Sequence, residues 1–258
     1  MITSASNGQV KNIIQLNRRG KARREQGVFV AEGRKMFSEA PPKWVEKVYV
    51  SEALTGAAEL MAQVRRLPYE VVAEPVFRQM SDTQTPQGIL TVLKTPEYRL
   101  EEILDRENPL LMVLEDLQDP GNAGTIFRTG EGAGISGVLL TRNCVDITNP
   151  KVIRSTMGSV YRMPFVYVED VASLSEAFRS RSIRTYAAHL QGKNTYDKED
   201  YTQGSAFFIG NEGKGLTEEA AQTADTWIRI PMGGQVESLN AAMAAGILMY
   251  EAARQRRR

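Results

Sequence analysis

The sequence predicts an α/β protein: a mostly parallel sheet with helices on both faces, preceded by a smaller α/β unit. Three observations carry this reading. Apolar runs without polar alternation recur through the second half, as in "LLMVLED", "GVLLT" and "AFFIGN", the pattern of strands buried on both faces. Segments of helical pattern lie between them, which is how parallel strands are connected. The chain has 258 residues and 42% hydrophobic content, room for two domains.

In order, the first half opens with a basic amphipathic helix through Ile13, Ile14 and Leu16. "VFVAEG" reads as a strand, "RKMFSEA" as a helix stopped by Pro41-Pro42, "VEKVYV" as a strand, "AAELMAQVRRL" as a helix and "YEVVAE" as a strand. "PVFRQMS" starts a helix with proline at its first position, and "GILTVLK" is another strand. "TPEYRLEEILDRENP" is charged, with a proline near each end, and reads as a linker. The second half alternates the strands "LLMVLED", "GVLLT", "FVYVE", "TYAAHL", "AFFIGN" and "TWIRIPM" with helix candidates at 123–133, 150–160, 174–180 and 217–224. A final helix is expected from Ser238 onward. The expected domains are residues 1–95, a linker at 96–108, and 109–258.

Composition excludes several classes of function. The formal net charge is only +1, so the whole molecule is no polycation, yet "KNIIQLNRRGKARR" and "RQRRR" concentrate positive charge at the two ends. The single cysteine, Cys144, allows no internal disulfide and no cysteine-based zinc site; no metal is expected. With one histidine, His189, to activate it, Cys144 is a poor nucleophile, and His189 itself reads as structural. The N-terminus lacks the apolar core of a signal peptide, and no run approaches the ~20 apolar residues of a membrane span. A cytoplasmic protein is expected.

Gly132-Ala133-Gly134-Ile135-Ser136-Gly137 matches G-x-G-x-x-G. The dinucleotide fingerprint needs a strand before it and a helix after it; here the order is reversed. These glycines read as a helix stop and tight turn, which demotes a nicotinamide oxidoreductase. Three other segments are the candidates for a ligand site, with ordinary αβ loops and a capped core helix as the structural alternative. In "LEDLQDPGNAGTIFRTGEGAG", a turn at Asp119-Pro120-Gly121-Asn122 feeds a helix that Asn122 is placed to cap. Arg128 lies in that helix, rotated away from Asn122, with a salt bridge to Glu131 as its structural alternative. "FFIGNEGKGL" is a glycine-rich loop after a strand. "IRIPMGGQVESLNAAMAAGILMYEAA" is a second such loop before a helix apolar almost all round; Ser238 can cap it, with Asn240 in its first turn. Loops at the carboxyl ends of strands in open α/β sheets are where ligands bind.

Taken together, these three segments resemble the SpoU (TrmH-like) branch of the SPOUT RNA ribose 2′-O-methyltransferases. The first motif matches with Asn122 and Arg128, the second with Asn211-Glu212-Gly213, and the third with Ser238-Leu239-Asn240. They occur in the family's order across residues 110–258. "KNIIQLNRRGKARREQGVFVAEG" is similar to the family's substrate-binding domain, a small module of ribosomal-protein type.

The resemblance implies a deep trefoil knot in the C-terminal domain, with S-adenosylmethionine bound there by the second and third motif loops. Carried over by position, Gly210, Ile230, Leu239 and Met232 should contact the cofactor, with Leu190 a further candidate. Arg128, Asn122, Glu212, Ser238 and Asn240 form the expected catalytic set. Arg128 is a poor base, so clamping a phosphate and polarising the 2′-hydroxyl suits it better than accepting the proton; the other four would position it and the ribose, Glu212 by a bond to the guanidinium. Arg18, Arg19, Arg23 and Arg24 would hold RNA phosphates. A homodimer with its active site at the subunit interface is implied, acting on RNA, ribosomal RNA ahead of transfer RNA. A non-catalytic RNA-binding protein on the same scaffold is the alternative.

Overall fold

A computed structural model describes residues 1–257; Arg258, the last of the basic C-terminal residues, lies outside the described residues. In chain order the elements are α1 (Gly8–Arg18), α2 (Gly20–Gln26), β1 (Val28–Glu32), α3 (Arg34–Glu39), β2 (Val45–Ser51), α4 (Ala58–Val64), β3 (Tyr69–Val72), α5 (Glu74–Met80) and β4 (Ile89–Lys94). There follow α6 (Leu100–Leu104), β5 (Leu110–Leu114), α7 (Pro120–Ala133), β6 (Gly137–Thr141), α8 (Pro150–Thr156), β7 (Phe165–Val168), α9 (Ser175–Arg179) and β8 (Arg184–Ala188). The chain ends with β9 (Asn194–Thr195), β10 (Ser205–Ile209), α10 (Glu218–Gln222), β11 (Thr226–Arg229) and α11 (Ala241–Arg256).

These elements form two compact units, residues 1–97 with 146–161, and residues 98–145 with 162–258. The first unit is built on a mixed sheet in the order β1-β4-β2-β3, in which only the β2–β3 pair is parallel. One face of this sheet packs on α1 and α5 through Val10, Ile13, Leu16, Val76, Phe77 and Met80. In α1 those buried positions recur every three residues, the spacing of one helix face, and Asn7 caps the helix by accepting from Gln9 N–H at 2.8 Å.

The expected basic helix is in fact two. Gln15 C=O accepts from Arg19 N–H, whose residue is extended, and α2 then starts afresh and ends at Gly27 in a left-handed C-cap. The α8 segment also belongs to this unit, although it lies inside the second half of the sequence. It packs on β1, Arg154 pairs with Asp82 at 3.0 Å, and Tyr161 donates its hydroxyl to Met36 C=O at 3.0 Å. The expected helix 150–160 stops at Thr156 because Met157 turns left-handed, φ 52°.

The second unit is the expected parallel sheet, seven strands in the order β7-β6-β5-β10-β8-β11-β9. Central β5, β6 and β10 are buried at every position, which is why their sequences show no alternation. The two-residue β9 is too short to read from sequence. The expected linker at 96–108 is a correction: α6 buries Ile103 and Leu104 in the core with Phe178, Phe208 and Leu139. Two apolar side chains in one helical turn are enough to seat it, and the division between the units falls at residue 97.

The 132–137 glycines end α7, with Gly134 in a left-handed cap, and lead into β6, as the reversed motif order requires.

Candidate functional site

The site forms where β5 and β10, neighbours in the sheet, end side by side. Beyond β5 the chain runs through 115–119 into α7; beyond β10 it loops through 210–217 into α10. Two consecutive residues bracket these loops. Asn211 donates from Nδ2 to Asp116 C=O at 2.9 Å, and its Oδ1 accepts from Gly213 and Lys214 N–H. Glu212 points the other way: its carboxylate accepts from Gln118 N–H at 3.1 Å, Asp119 N–H at 2.8 Å and Asn122 Nδ2 at 3.1 Å. Partial burial pushes the Glu212 carboxyl up, but the bonds from Asn122, Asp119 and Gln118 outweigh it and leave the group below its ordinary range. Glu212 is therefore an anion held at the start of α7, where helix N–H groups favour negative charge.

Asn122 carries the chain of bonds onward. Its Oδ1 accepts from Asn240 Nδ2 at 2.9 Å, so Glu212, Asn122 and Asn240 form one line across three motifs. Both caps differ from expectation. Asp119 caps α7 by accepting from Asn122 N–H at 2.7 Å, and Asn240, not Ser238, caps α11 through Ala242 and Met243 N–H. Asn122, in the first turn, keeps its side chain free for tertiary bonds. The 210–217 loop is also held at its far end, where Glu115 accepts from Thr217 N–H at 2.8 Å and from its hydroxyl at 2.7 Å.

Beside this line opens a cleft of about 470 Å³, within the range of small-molecule and cofactor sites. Gly210, Ile230, Met232, Leu239 and Leu190, the expected cofactor residues, all line it, as do Glu212 and Ser238. The need for glycine at 210 comes from within the loop. A Cβ there would lie 2.0 Å from the Gly215 carbonyl carbon and 2.1 Å from Leu216 N, so it is the loop's own return that demands glycine. His189 lines the cleft too, with its ring 4.4 Å from Trp227 and Nδ1 accepting from Gln191 N–H at 3.2 Å. Lys214 and Arg229 were missed by sequence reasoning; both line the cleft and are exposed. Burial pushes the Cys144 thiol up, and Sγ donates to Leu114 C=O at 3.2 Å, which fits a structural thiol.

Arg128 is not beside Asn122. The two are six residues apart on α7, and at about 3.6 residues per turn they face directions about 120° apart. The side chain of Arg128 is exposed and has no ion-pair partner among the described residues; Glu131 pairs with Arg162 instead. All three donors to the Glu212 carboxylate named above come from 118–122, so Glu212 does not orient Arg128 within this chain. Ser238 is exposed on the cleft rim.

In the first unit Arg18, Arg19 and Arg24 are exposed, but Arg23 is a correction. It is 3% exposed, and its guanidinium donates to Asp146 Oδ2 at 2.6 Å, Thr148 Oγ1 at 3.1 Å and Leu16 C=O at 2.6 Å. Those bonds make it a tie within the unit, out of reach of an RNA phosphate.

Comparison with known proteins places the whole chain in a family. The SpoU rRNA methylase family matches residues 109–250, and the MRM3-like substrate binding domain matches residues 7–91. The 23S rRNA (guanosine(2553)-2′-O)-methyltransferase RlmP of Bacillus subtilis is 30% identical over 96% of this chain and 97% of its own length. Among solved structures, the SpoU methyltransferase AviRb of Streptomyces viridochromogenes with AdoMet superposes with a TM-score of 0.87 at 27% identity, covering 97% of this chain and 99% of the other. An AdoMet-bound rRNA methyltransferase from Sinorhizobium meliloti gives 0.83 at 29% identity, covering 98% and 97%. The three motifs, the sheet they end on and these likenesses agree: the chain belongs to the SpoU rRNA methylase family.

Proposed function

We propose that this protein transfers the methyl group of S-adenosylmethionine to a ribose 2′-hydroxyl of ribosomal RNA. The observation that carries the proposal is the Glu212–Asn122–Asn240 line beside a cleft of cofactor size. The choice of ribosomal RNA is supported by likeness along the whole chain, first unit included, to enzymes named for that substrate.

The residues present fit the cofactor. The cleft walls combine apolar side chains, Ile230, Met232 and Leu239, with the glycine-rich 210–215 backbone. Bound there, the sulfonium would supply an electrophilic methyl group. What the protein must add is alignment and a polarised hydroxyl, and alignment alone can contribute on the order of 7–11 kcal/mol. Asn122 and Asn240 hold the two motif loops in register, and Glu212 fixes the start of α7. Arg128 grips a phosphate next to the target ribose and polarises its hydroxyl; its permanent charge makes it a clamp and not a base. Exposed and facing away from Asn122, it is suited to serve the site of a second copy. The same reading gives the protein a homodimeric state, a trefoil knot in the second unit, and a place in the cytoplasm; no helix among the described residues is long and apolar enough to cross a membrane. Arg18, Arg19 and Arg24 would hold RNA at the first unit.

The test is mass-spectrometric mapping of ribose methylation in ribosomal RNA with and without the protein, alongside calorimetry with S-adenosylmethionine. One 2′-O-methyl site should vanish without the protein and return with it. An unchanged map, or no binding heat from folded protein, would remove the proposal.

A further inference from the structure

Asp116 sits just beyond β5 with φ 53°, in the left-handed region that side chains other than Asn and Asp seldom adopt. The other non-glycine residues with positive φ among those described are Asn108, Met157 and Ser182; none is in the motif loops. A left-handed residue at a functional site persists only where its surroundings over-determine it, and here they do. Toward β6, Asp116 donates its N–H to Thr141 Oγ1 at 3.0 Å, and the Thr141 hydroxyl donates to Asp116 Oδ1 at 2.9 Å. Toward β10, its carbonyl accepts from Asn211 Nδ2 at 2.9 Å. In the sheet β5 lies between β6 and β10. One residue thus ties both neighbours to the central strand, at the end where the cleft opens.

We infer that Asp116 is a positioning residue of the methyl-transfer site, acting through its left-handed turn. The turn aims the carbonyl at Asn211 while the N–H and carboxylate stay on Thr141. Asn211 in turn receives Gly213 and Lys214 N–H on its Oδ1, so the orientation of one peptide unit sets the shape of the 210–216 cleft wall. It also sets where the chain enters 118–119, whose N–H groups hold Glu212. With φ negative the carbonyl swings away, Asn211 Nδ2 loses its acceptor, and the two loops part. This rests on the methyltransferase reading of the site, although the loop geometry can be measured without it.

The test compares full-length Asp116→Gly, Asp116→Ala and Asp116→Asn with the unaltered chain. Glycine and alanine both lack the carboxylate and differ in tolerance of positive φ; asparagine keeps both tolerance and a side-chain acceptor. Three readouts are taken: amide hydrogen exchange at Gly213 and Lys214, affinity for S-adenosylhomocysteine, and single-turnover methyl transfer to ribosomal RNA. The Gly and Asn variants should stay within about threefold of the unaltered chain in every readout. The Ala variant should lose about tenfold in amide protection and in affinity, with a larger loss in transfer rate. Ala and Gly behaving alike would overturn the inference, as would an Ala variant with a lower melting temperature but unchanged loop protection and affinity. If the unaltered chain bound no cofactor, the proposed function would fail, and loop protection alone would still decide the role of Asp116.

Discussion

At the scale of single residues, Arg128 is the sharpest case, because its side chain is exposed and has no ion-pair partner among the described residues. Arg128→Ala should leave melting temperature and cofactor affinity unchanged, as exposed substitutions do within ~0.5 kcal/mol. Methyl transfer should fall by on the order of 10²–10³, the loss typical of one charge-stabilising donor. Arg128→Lys should restore little, because an ammonium lacks the planar two-point grip; single-turnover rates near normal in either variant would remove the role. Glu212 makes a prediction in pH. Its folded pKa lies below the ordinary value of 4.5, so its contribution is present above that value and lost as pH falls through the folded one. The melting-temperature advantage over Glu212→Gln should be full at neutral pH and shrink below about 4.5. The arginines separate by burial. Arg23→Ala removes a buried guanidinium from a partly exposed Asp146 and should cost about 1.5–3 kcal/mol, the worth of hydrogen bonds to a charged group, read by denaturant unfolding. Charge reversal at Arg18, Arg19 and Arg24 should spare stability and weaken RNA binding with a shallower salt dependence. The sequence made Asn122, Glu212 and Asn240 legible through three ordered motifs. It did not make Arg23 legible, since an inward-facing arginine inside "NRRGKARR" looks like its neighbours until Asp146, far along the chain, is placed beside it.

At the scale of elements, strand positions were the most legible feature. Two-sided burial forces unbroken apolar runs such as Leu110–Leu114 and residues 206–209, and few other structures need them. Caps were less legible, because α7 and α11 each offer two eligible residues close together. Asp119 precedes Asn122 and Ser238 precedes Asn240, and tertiary partners decide between them: whichever side chain is claimed by a distant loop leaves the cap to the other, or, as Asn240 does, serves both. Asn240→Ala should therefore lower stability by about 0.5–2 kcal/mol and also release Asn122 Oδ1, giving a loss of methyl transfer larger than the stability loss explains. Ser238→Ala should leave the melting temperature where it was. Similar thermal shifts for the two variants would contradict the assignment of the cap. Gly210 belongs to this scale as well. Any side chain there meets the loop's own backbone, so its substitution reports on the loop's fold and cannot isolate a ligand contact.

At the scale of the whole molecule, α11 leaves an apolar face uncovered. Met243 is 59% and Tyr250 47% exposed, with half-buried Gly246 and Ile247 between them on the same helical stripe. Such a face fits the proposed dimer. Light scattering should give a dimer at micromolar concentration for the full chain and a monomer for the Met243→Glu, Tyr250→Glu double variant; a monomeric unaltered chain would exclude it. Removing residues 1–95, the first expected domain, would be a poor test of the dimer, because it strips the β1 cover from α8, whose Val152 and Ile153 are buried in the first unit. That return of residues 146–161 to the first unit also has a consequence in time. A chain leaving the ribosome folds from its N-terminus, yet when residue 97 emerges the first unit still lacks α8, the Asp146 partner of Arg23 and the Tyr161 anchor on Met36. It must wait, with β1 uncovered and one arginine unmatched, until β5, α7 and β6 have been made. The two units are thus each compact in their own packing but interleaved in the order of synthesis: the first to begin cannot finish before the second is under way.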